Sequence, residues 1–183
     1  MSFHLIDSLQ TTSEKATAAF AAVLSSALSA GDLVALVGDL GCGKSVIART
    51  IIRTLLGDAD LDVPSPTFTL VQEYEGPDFA IWHADLYRLE DSEDVYELGF
   101  EEALDETLLL VEWPDRLPEE FHENCLILSL KQTDDQGGRM LSIQGHDGWR
   151  DRLLPMMPAL KQAIQTAGDD PVCEHEDLNG ASA

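Results

Sequence analysis

The sequence is poor in cysteine and contains no long apolar segment. No run of about 18 apolar residues occurs, so the sequence predicts no membrane-spanning helix. The three cysteines, Cys42, Cys125 and Cys173, are widely spaced and form no CxxC pair, which argues against a zinc site or a disulfide framework. The first residues lack the basic start and apolar core of a secretion signal. Together these absences predict a cytoplasmic protein that does not contact membranes.

Basic residues are also scarce. Lysine and arginine number 11 against 34 aspartates and glutamates, which gives a formal net charge of −23. A field of this sign repels a phosphate backbone, so we expect the chain alone to bind nucleic acid poorly. The acidic surface either serves solubility alone or matches a basic partner surface, and composition does not decide between the two. Three of the basic residues, Lys44, Arg49 and Arg53, cluster in one short segment.

The 183 residues are enough for one domain with a core of its own. We predict a single domain over residues 1–165. Residues 166–183 contain five acidic residues and no lysine or arginine, with scattered glycine, asparagine and serine. Such a segment buries too little apolar surface to offset the entropy of ordering, so it is predicted to be a disordered acidic tail.

Hydrophobic periodicity and turn residues predict an α/β fold. Residues 11–14 fit a capping box at the start of a helix that Gly31 ends. A buried strand at Leu33–Val37 and a helix at Lys44–Leu56 follow. The sheet should be parallel near these two elements, with further strands added in antiparallel orientation. The other predicted elements are two hairpins (residues 68–74 with 79–85, and 125–131 with 139–143), two short helices (93–98 and 101–106), a strand (107–111) and a helical segment interrupted by proline (149–165).

Residues 38–45, GDLGCGKS, match the P-loop pattern G-x-x-x-x-G-K-[ST] in full. Glycines let such a loop curl until successive N–H groups point at phosphate oxygens, and the following helix adds its positive N-terminal end. We therefore expect Lys44 to reach the β- and γ-phosphates of ATP and the Ser45 hydroxyl to hold Mg²⁺. Cys42 within the loop is either a redox switch or a small residue that fits.

Three further segments carry residues that could complete a nucleotide site. Glu112 ends an apolar strand and is the candidate Walker B acid beside Mg²⁺. In HADLYR, residues 83–88, an extended backbone would put His83, Asp85 and Tyr87 on one face, although an ordinary solvated strand looks the same. In the proline-stiffened loop 63–69, Ser65 or Thr67 could contact γ-phosphate and metal, unless the loop is a plain connection. Arg88 is either a phosphate clamp or part of a surface ion pair.

In this order and spacing, residues 38–45, SPTFTL at 65–70, HADLYR at 83–88 and the pair Glu112-Trp113 resemble the TsaE (YjeE) family. These are bacterial ATPases of tRNA threonylcarbamoyladenosine synthesis, and the resemblance covers residues 12–117. It implies a P-loop NTPase-like three-layer α/β sandwich with a mixed, partly antiparallel sheet. It also implies a weak ATPase that resets a complex of TsaB and TsaD between turnovers and meets tRNA only through that complex. Cys42 and Ser45 stand where the family generally has alanine and threonine.

The resemblance also implies roles for individual residues. Lys44 becomes the phosphate lysine, Ser45 and Glu112 the metal ligands, and Asp85 and Thr67 participants in positioning metal or water. Trp113 is expected near the nucleotide or a partner contact. For adenine recognition the segment 11–14, with Thr12, is only a candidate. The expected catalytic residues are Glu112, Asp85, Thr67 and Lys44, and the expected nucleotide contacts are Asp39, Leu40, Gly41, Cys42, Gly43, Lys44, Ser45, Val46 and Thr12.

Two other classes of P-loop protein were weighed. A small-molecule or nucleoside kinase usually closes an arginine-rich lid over the phosphates, whereas residues 89–109 contain no lysine or arginine. Phosphate transfer to a small acceptor would nevertheless support this alternative. A GTP-dependent switch would carry an Asn-Lys-x-Asp guanine-reading motif, which the sequence lacks.

Overall fold

The computed structural model describes residues 3–133 and 137–168, and its centre is a seven-stranded mixed sheet. In spatial order the strands are β1-β7-β6-β2-β5-β4-β3. The inner strands β6, β2, β5 and β4 run parallel, while β1, β7 and β3 are added antiparallel. The strands span His4–Thr11 (β1), Leu33–Val37 (β2), Val71–Glu75 (β3), Ala80–Asp85 (β4), Thr107–Glu112 (β5), Leu126–Gln132 (β6) and Arg139–Gly145 (β7).

Helices cover both faces of this sheet, which gives the three predicted layers. The α-helices span Glu14–Leu24 (α1), Lys44–Leu56 (α2), Asp94–Glu97 (α3), Phe100–Glu106 (α4), Asp147–Leu153 (α5) and Met157–Gly168 (α6). One core packs α1, α2, α5 and α6 against Val34 and Leu36 of β2, and the other packs α3 and α4 against Leu33 and Ala35. Successive strand residues point to opposite faces, so a central strand buried on both sides is apolar throughout.

Several elements begin or end where the sequence predicted. Helix α2 spans Lys44–Leu56 and ends at Gly57, whose φ of 67° is the left-handed conformation that glycine adopts readily. Both predicted hairpins are present as the antiparallel pairs β3–β4 and β6–β7. Proline interrupts the C-terminal helical segment at a 3₁₀ turn, Leu154–Met156, between α5 and α6.

Other predicted boundaries were wrong for local reasons. The capping box at residues 11–14 does not form, because Thr11 is the last residue of β1 and Ser13 caps α1 by accepting from the N–H of Ala16. Strand β1 itself was not predicted. The first hairpin starts at Val71 and not at residue 68, since the N–H of Leu70 turns back to the carbonyl of Pro66 at 2.8 Å.

The tail boundary and the strand at HADLYR also need correction. Helix α6 continues to Gly168, so residues 166–168 are helical, and the rest of the predicted tail lies outside the described residues. Strand β4 ends at Asp85, so Tyr87 does not share a strand face with His83. No helix among the described residues is long and apolar enough to cross a membrane.

Candidate functional site

The glycine-rich loop, residues 38–45, joins the end of β2 to the start of α2. Its glycines have positive φ: 145° at Gly38, 76° at Gly41 and 113° at Gly43. A Cβ on Gly38 would lie 2.4 Å from the carbonyl oxygen of Leu130, so only glycine fits there. Among the described residues, the N–H groups of Gly41 and Gly43 have no acceptor. The loop therefore presents unpaired donors, as an anion-binding nest does.

Lys44 is almost completely buried at the first position of α2. Its Nζ donates to the carbonyl oxygens of Gly38 at 2.7 Å and of Asp39 at 3.0 Å. The same atom lies 4.3 Å from the centre of the Trp113 ring, within the range of a cation–π contact. The ammonium group is therefore held over the glycine-rich loop by uncharged partners, which an anion could replace.

A cavity of about 230 Å³ opens above this loop. Its lining includes the carboxylates at the ends of β4 and β5, together with Trp113 and the loop after α2. It also includes residues of α1 and the first residue of β7. The full lining is Glu14, Thr17, Leu40, Gly41, Cys42, Gly43, Lys44, Ser45, Val46, Ser65, Thr67, Asp85, Glu112, Trp113 and Arg139.

Two acids meet because their strands end together. Asp85 of β4 and Glu112 of β5 are paired in the parallel register, and Glu112 is also paired with Leu36, two residues before Gly38. Glu112 is buried, and its Oε1 lies 3.0 Å from Nε2 of His83, which is also buried. Parallel strands end at the same edge of a sheet, where open α/β folds bind ligands.

A second hydrogen-bonded group links the proline-stiffened loop to β4. The Thr67 hydroxyl donates to Oδ2 of Asp85 at 2.8 Å, and its oxygen lies 2.9 Å from the hydroxyl of Ser65. The other carboxylate oxygen, Oδ1, accepts the N–H of Tyr87 at 3.0 Å. These contacts hold Asp85 in one orientation with hydroxyl groups beside it.

The donor set fits Mg²⁺ better than a metal held by protein ligands alone. Among the described residues, no group of three or more His, Cys, Asp and Glu side chains could hold a metal ion. Magnesium commonly takes one or two protein oxygens and completes its octahedron with water and substrate phosphates. The Ser45 hydroxyl and the Glu112 carboxylate line the same cavity and offer such oxygens.

Comparison with known proteins gives the same family as the sequence motifs. The family described as "Threonylcarbamoyl adenosine biosynthesis protein TsaE" matches residues 11–141. The chain belongs to the TsaE family. Every residue that lines the cavity lies within the matched segment. The family takes part in tRNA threonylcarbamoyladenosine biosynthesis, and the chain shares that broad assignment.

Individual relatives match this chain over most of their own length. The chain is similar to the tRNA threonylcarbamoyladenosine biosynthesis protein TsaE of Rickettsia typhi, with 41% identity over 72% of this chain and 90% of that one. For the protein of the same name in Bacillus subtilis the identity is 32%, over 69% and 78% of the two chains. A crystal structure of YdiB from Bacillus subtilis superposes with a TM-score of 0.62, at 22% identity, over 91% of this chain and 97% of that one. At this identity, the likeness to YdiB supports the fold alone.

Most residues expected from the TsaE resemblance lie at the cavity. The exceptions are Asp39 and Thr12. Asp39 contributes its backbone carbonyl to Lys44 and does not line the cavity. Thr12 is exposed and outside the lining, because it follows β1 and precedes the cap of α1, so it is not brought to the site. The lining residues among those expected are Leu40, Gly41, Cys42, Gly43, Lys44, Ser45, Val46, Thr67, Asp85, Glu112 and Trp113.

Two lining residues were missed by sequence reasoning: Thr17 and Arg139. Glu14, which also lines the cavity, belongs to the segment 11–14 that was the candidate for adenine recognition. Arg139 is far from the motifs along the chain, and no spacing rule connects it to them. Arg88, considered as a phosphate clamp, lies outside the lining and packs over the Phe68 ring, 5.5 Å from its centre.

Cys42 is buried in the glycine-rich loop. Burial raises the pKa of its thiol, and the nearby Lys44 charge opposes this only in part. Thiolate is the reactive form of cysteine, so this environment favours an unreactive side chain. The geometry therefore supports the interpretation of Cys42 as a small residue that fits the loop, since a Cβ on Gly38 would lie 2.7 Å from its Sγ.

Proposed function

We propose that this chain binds ATP with Mg²⁺ in the cavity above residues 38–45 and hydrolyses it in support of tRNA threonylcarbamoyladenosine synthesis. The observation that carries the proposal is the meeting of three parts at one cavity. These are a glycine-rich loop with unpaired N–H groups, the buried Lys44, and two carboxylates at adjacent strand ends. Each part alone is common, but their combination at the carboxyl edge of a parallel sheet suits a nucleoside triphosphate.

The glycine-rich loop and α2 would hold the phosphates. The N–H groups of Gly41 and Gly43 are free to donate, and the N-terminus of α2 adds a partial positive charge. Lys44 now donates to two neutral carbonyl oxygens, and a phosphate oxygen offers it a stronger, charge-assisted bond. We expect Lys44 to replace a carbonyl contact with a bond to a phosphate oxygen when the triphosphate binds.

Ser45 and Glu112 would hold the metal. Bound Mg²⁺ would neutralise phosphate charge and orient the oxygens around the reacting phosphorus. His83 holds Glu112 in position through the bond between Nε2 and Oε1. Asp85 keeps the Thr67 hydroxyl beside the cavity, where the pair can orient a water molecule and accept its proton.

We propose that hydrolysis is slow for the chain alone and is stimulated by a complex of TsaB and TsaD, with tRNA contacted only through that complex. The net charge of −23 disfavours direct binding of a phosphate backbone and favours a protein partner with basic groups. Leu40 and Phe68, exposed by 88% and 85%, flank the proposed nucleotide site and offer apolar contact area. The expected compartment is the cytoplasm, where bacterial tRNA is modified.

The test is release of phosphate from Mg-ATP, measured for the chain alone and with purified TsaB and TsaD. We expect slow release alone and an increase of several-fold with the partners. Lys44→Ala should abolish tight ATP binding, whereas Glu112→Ala should leave binding within a few-fold and lower hydrolysis by about 10²-fold or more. Lys161→Ala and Glu119→Ala, which change surface residues outside the cavity, are matched controls and should change neither property.

Each outcome has a separate meaning. Tight ATP binding by Lys44→Ala would contradict the proposed phosphate site. Unchanged hydrolysis by Glu112→Ala would remove Glu112 from its role. No response to TsaB and TsaD would contradict the partner assignment but not the ATP site. Transfer of labelled phosphate to a small acceptor would instead support the kinase alternative.

A further inference from the structure

We propose that Arg139 is a positioning residue of this site, which turns the N–H of Gly43 towards the triphosphate by holding the preceding carbonyl group. This inference rests on the proposed function, because it assigns a role in binding the same phosphates. It concerns the first residue of β7, a strand that carries none of the motifs. Arg139 lines the cavity together with the glycine-rich loop.

The contact is a single well-formed hydrogen bond across a long stretch of sequence. Nε of Arg139 donates to the carbonyl oxygen of Cys42 at 2.7 Å, although 97 positions separate the two residues. Nη1 donates to the carbonyl oxygen of Gly138 at 2.9 Å, which fixes the plane of the guanidinium group. Both bonds come from a charged donor, and such bonds are stronger than those between neutral groups.

The planarity of the peptide bond converts this contact into a direction for the next N–H. In a trans peptide the carbonyl of one residue and the N–H of the next point to opposite sides. Arg139 holds the Cys42 carbonyl on its own side, so the N–H of Gly43 must point away from Arg139. That N–H has no acceptor among the described residues, and Gly43 lines the cavity. Its φ of 113° is open to glycine but strained for other residues.

The charge of Arg139 adds to that of Lys44. Within residues 3–133 and 137–168, neither side chain forms an ion pair with a carboxylate. Two cations that face one cavity are notable in a chain with a net charge of −23, whose general field repels anions. Arg139 and Lys44 therefore hold different carbonyl oxygens of the same loop and both offset that field locally.

Substitution can separate the hydrogen bond from the charge. Glutamine carries a nitrogen donor on Cδ, at the same number of bonds from the backbone as Nε of arginine, but has no charge. Methionine has an unbranched side chain and no donor. We expect Arg139→Gln, which keeps the donor but loses the charge, to bind tripolyphosphate with magnesium no more than about threefold more weakly than wild type. Arg139→Met, which loses the hydrogen bond as well, should bind about tenfold or more weakly.

The experiment is isothermal titration calorimetry with Mg-ATP and with Mg-tripolyphosphate, which has phosphates but no base. A role in positioning the loop predicts equal losses for the two ligands. The matched control is Arg53→Met, because Nε of Arg53 also donates to a backbone carbonyl, that of Leu61 at 2.8 Å, but outside the cavity. Its affinity should equal that of wild type. Thermal melting checks that each variant is folded.

A second measurement follows the N–H group of Gly43 directly. In ¹H–¹⁵N spectra the Gly43 amide should shift when tripolyphosphate binds to wild type and to Arg139→Gln, and should shift less at equal saturation in Arg139→Met. Equal weakening in the glutamine and methionine variants would show that charge alone matters and would overturn the proposal. A loss confined to ATP would also overturn it, because Arg139 would then contact the nucleoside. If wild type binds neither ligand, the proposed function fails and this inference fails with it.

Discussion

Replacing His83 with leucine should destabilise the fold through the carboxylate that it leaves behind. Nε2 of His83 lies 3.0 Å from Oε1 of Glu112, and the two side chains are 1% and 4% exposed. Nδ1 of His83 has no hydrogen-bond partner among the described residues, so within that part of the chain the ring makes its hydrogen bond to Glu112 alone. In His83→Leu the carboxylate stays buried and loses this donor, which is the costly way to break a buried pair.

The expected magnitude follows from that burial. Removing one member of a buried pair costs about 3 kcal/mol or more. For a domain of this size, 1 kcal/mol corresponds to roughly 2–4 °C, so we expect the melting temperature to fall by about 6–12 °C. Adding Glu112→Leu removes the stranded carboxylate. The double variant should therefore be more stable than the sum of the two single losses predicts, with a coupling energy of at least about 1 kcal/mol.

Urea unfolding followed by circular dichroism measures all four members of this double-mutant cycle. His4→Leu is the control, since His4 is half-exposed and its Nε2 lies 3.8 Å from Asp147, so its loss should stay within about 0.5 kcal/mol. Single losses that simply add, with a coupling energy below about 0.5 kcal/mol, would refute the reasoning. They would mean that the contact between His83 and Glu112 contributes nothing beyond packing.

Two further experiments test the glycine-rich loop and the buried cysteines. Gly38→Ala should lower ATP affinity by at least about tenfold, because its Cβ would lie 2.4 Å from the Leu130 carbonyl oxygen. Gly57→Ala, with positive φ but no atom within 4 Å of its Cβ, is the control and should leave affinity unchanged; equal affinities in the two variants would contradict the steric argument. In a Cys173→Ser background, iodoacetamide should modify native Cys42 and Cys125 more slowly than glutathione at pH 8. Burial raises the pKa of both thiols, that of Cys125 to about 11, so thiolate forms only as the pH rises towards those values. Modification of either cysteine as fast as that of glutathione would contradict this environment.

Local signals were enough for the elements that surround the proposed phosphate site. The glycine pattern and the apolar run before it predicted β2, the loop and α2 with correct bounds, because positive φ and helix termination act over a few residues. Turn residues likewise predicted both hairpins. The same kind of reasoning failed at residues 11–14, where a plausible cap was assigned to Thr11. That residue is committed to β1, and pairing with β7 decides its conformation.

Strand β1 shows why edge elements are harder to predict. Six of its eight residues are exposed or only partly buried, and its sequence HLIDSLQT has no long apolar run. Its antiparallel partner is β7, which lies more than 120 residues further along the chain. An edge strand with one neighbour depends on that partner for half of its stabilising contacts, and a local window does not contain the partner.

Sequence motifs alone were enough to predict Lys44, Ser45, Thr67, Asp85 and Glu112 as residues of the proposed phosphate site. Lys44 and Ser45 follow from a glycine pattern whose spacing has a local mechanical reason, and the roles of Thr67 and Asp85 follow from the resemblance to the TsaE family. The remaining contacts of this cavity depend on the tertiary structure. The sheet order sets β4 and β5 side by side, so that Asp85 and Glu112 end in register and His83 reaches Glu112. The same order sets β7 next to β6, so that Arg139 reaches the Cys42 carbonyl. These contacts join residues far apart in sequence, and strand register, which no single segment encodes, fixes their distances.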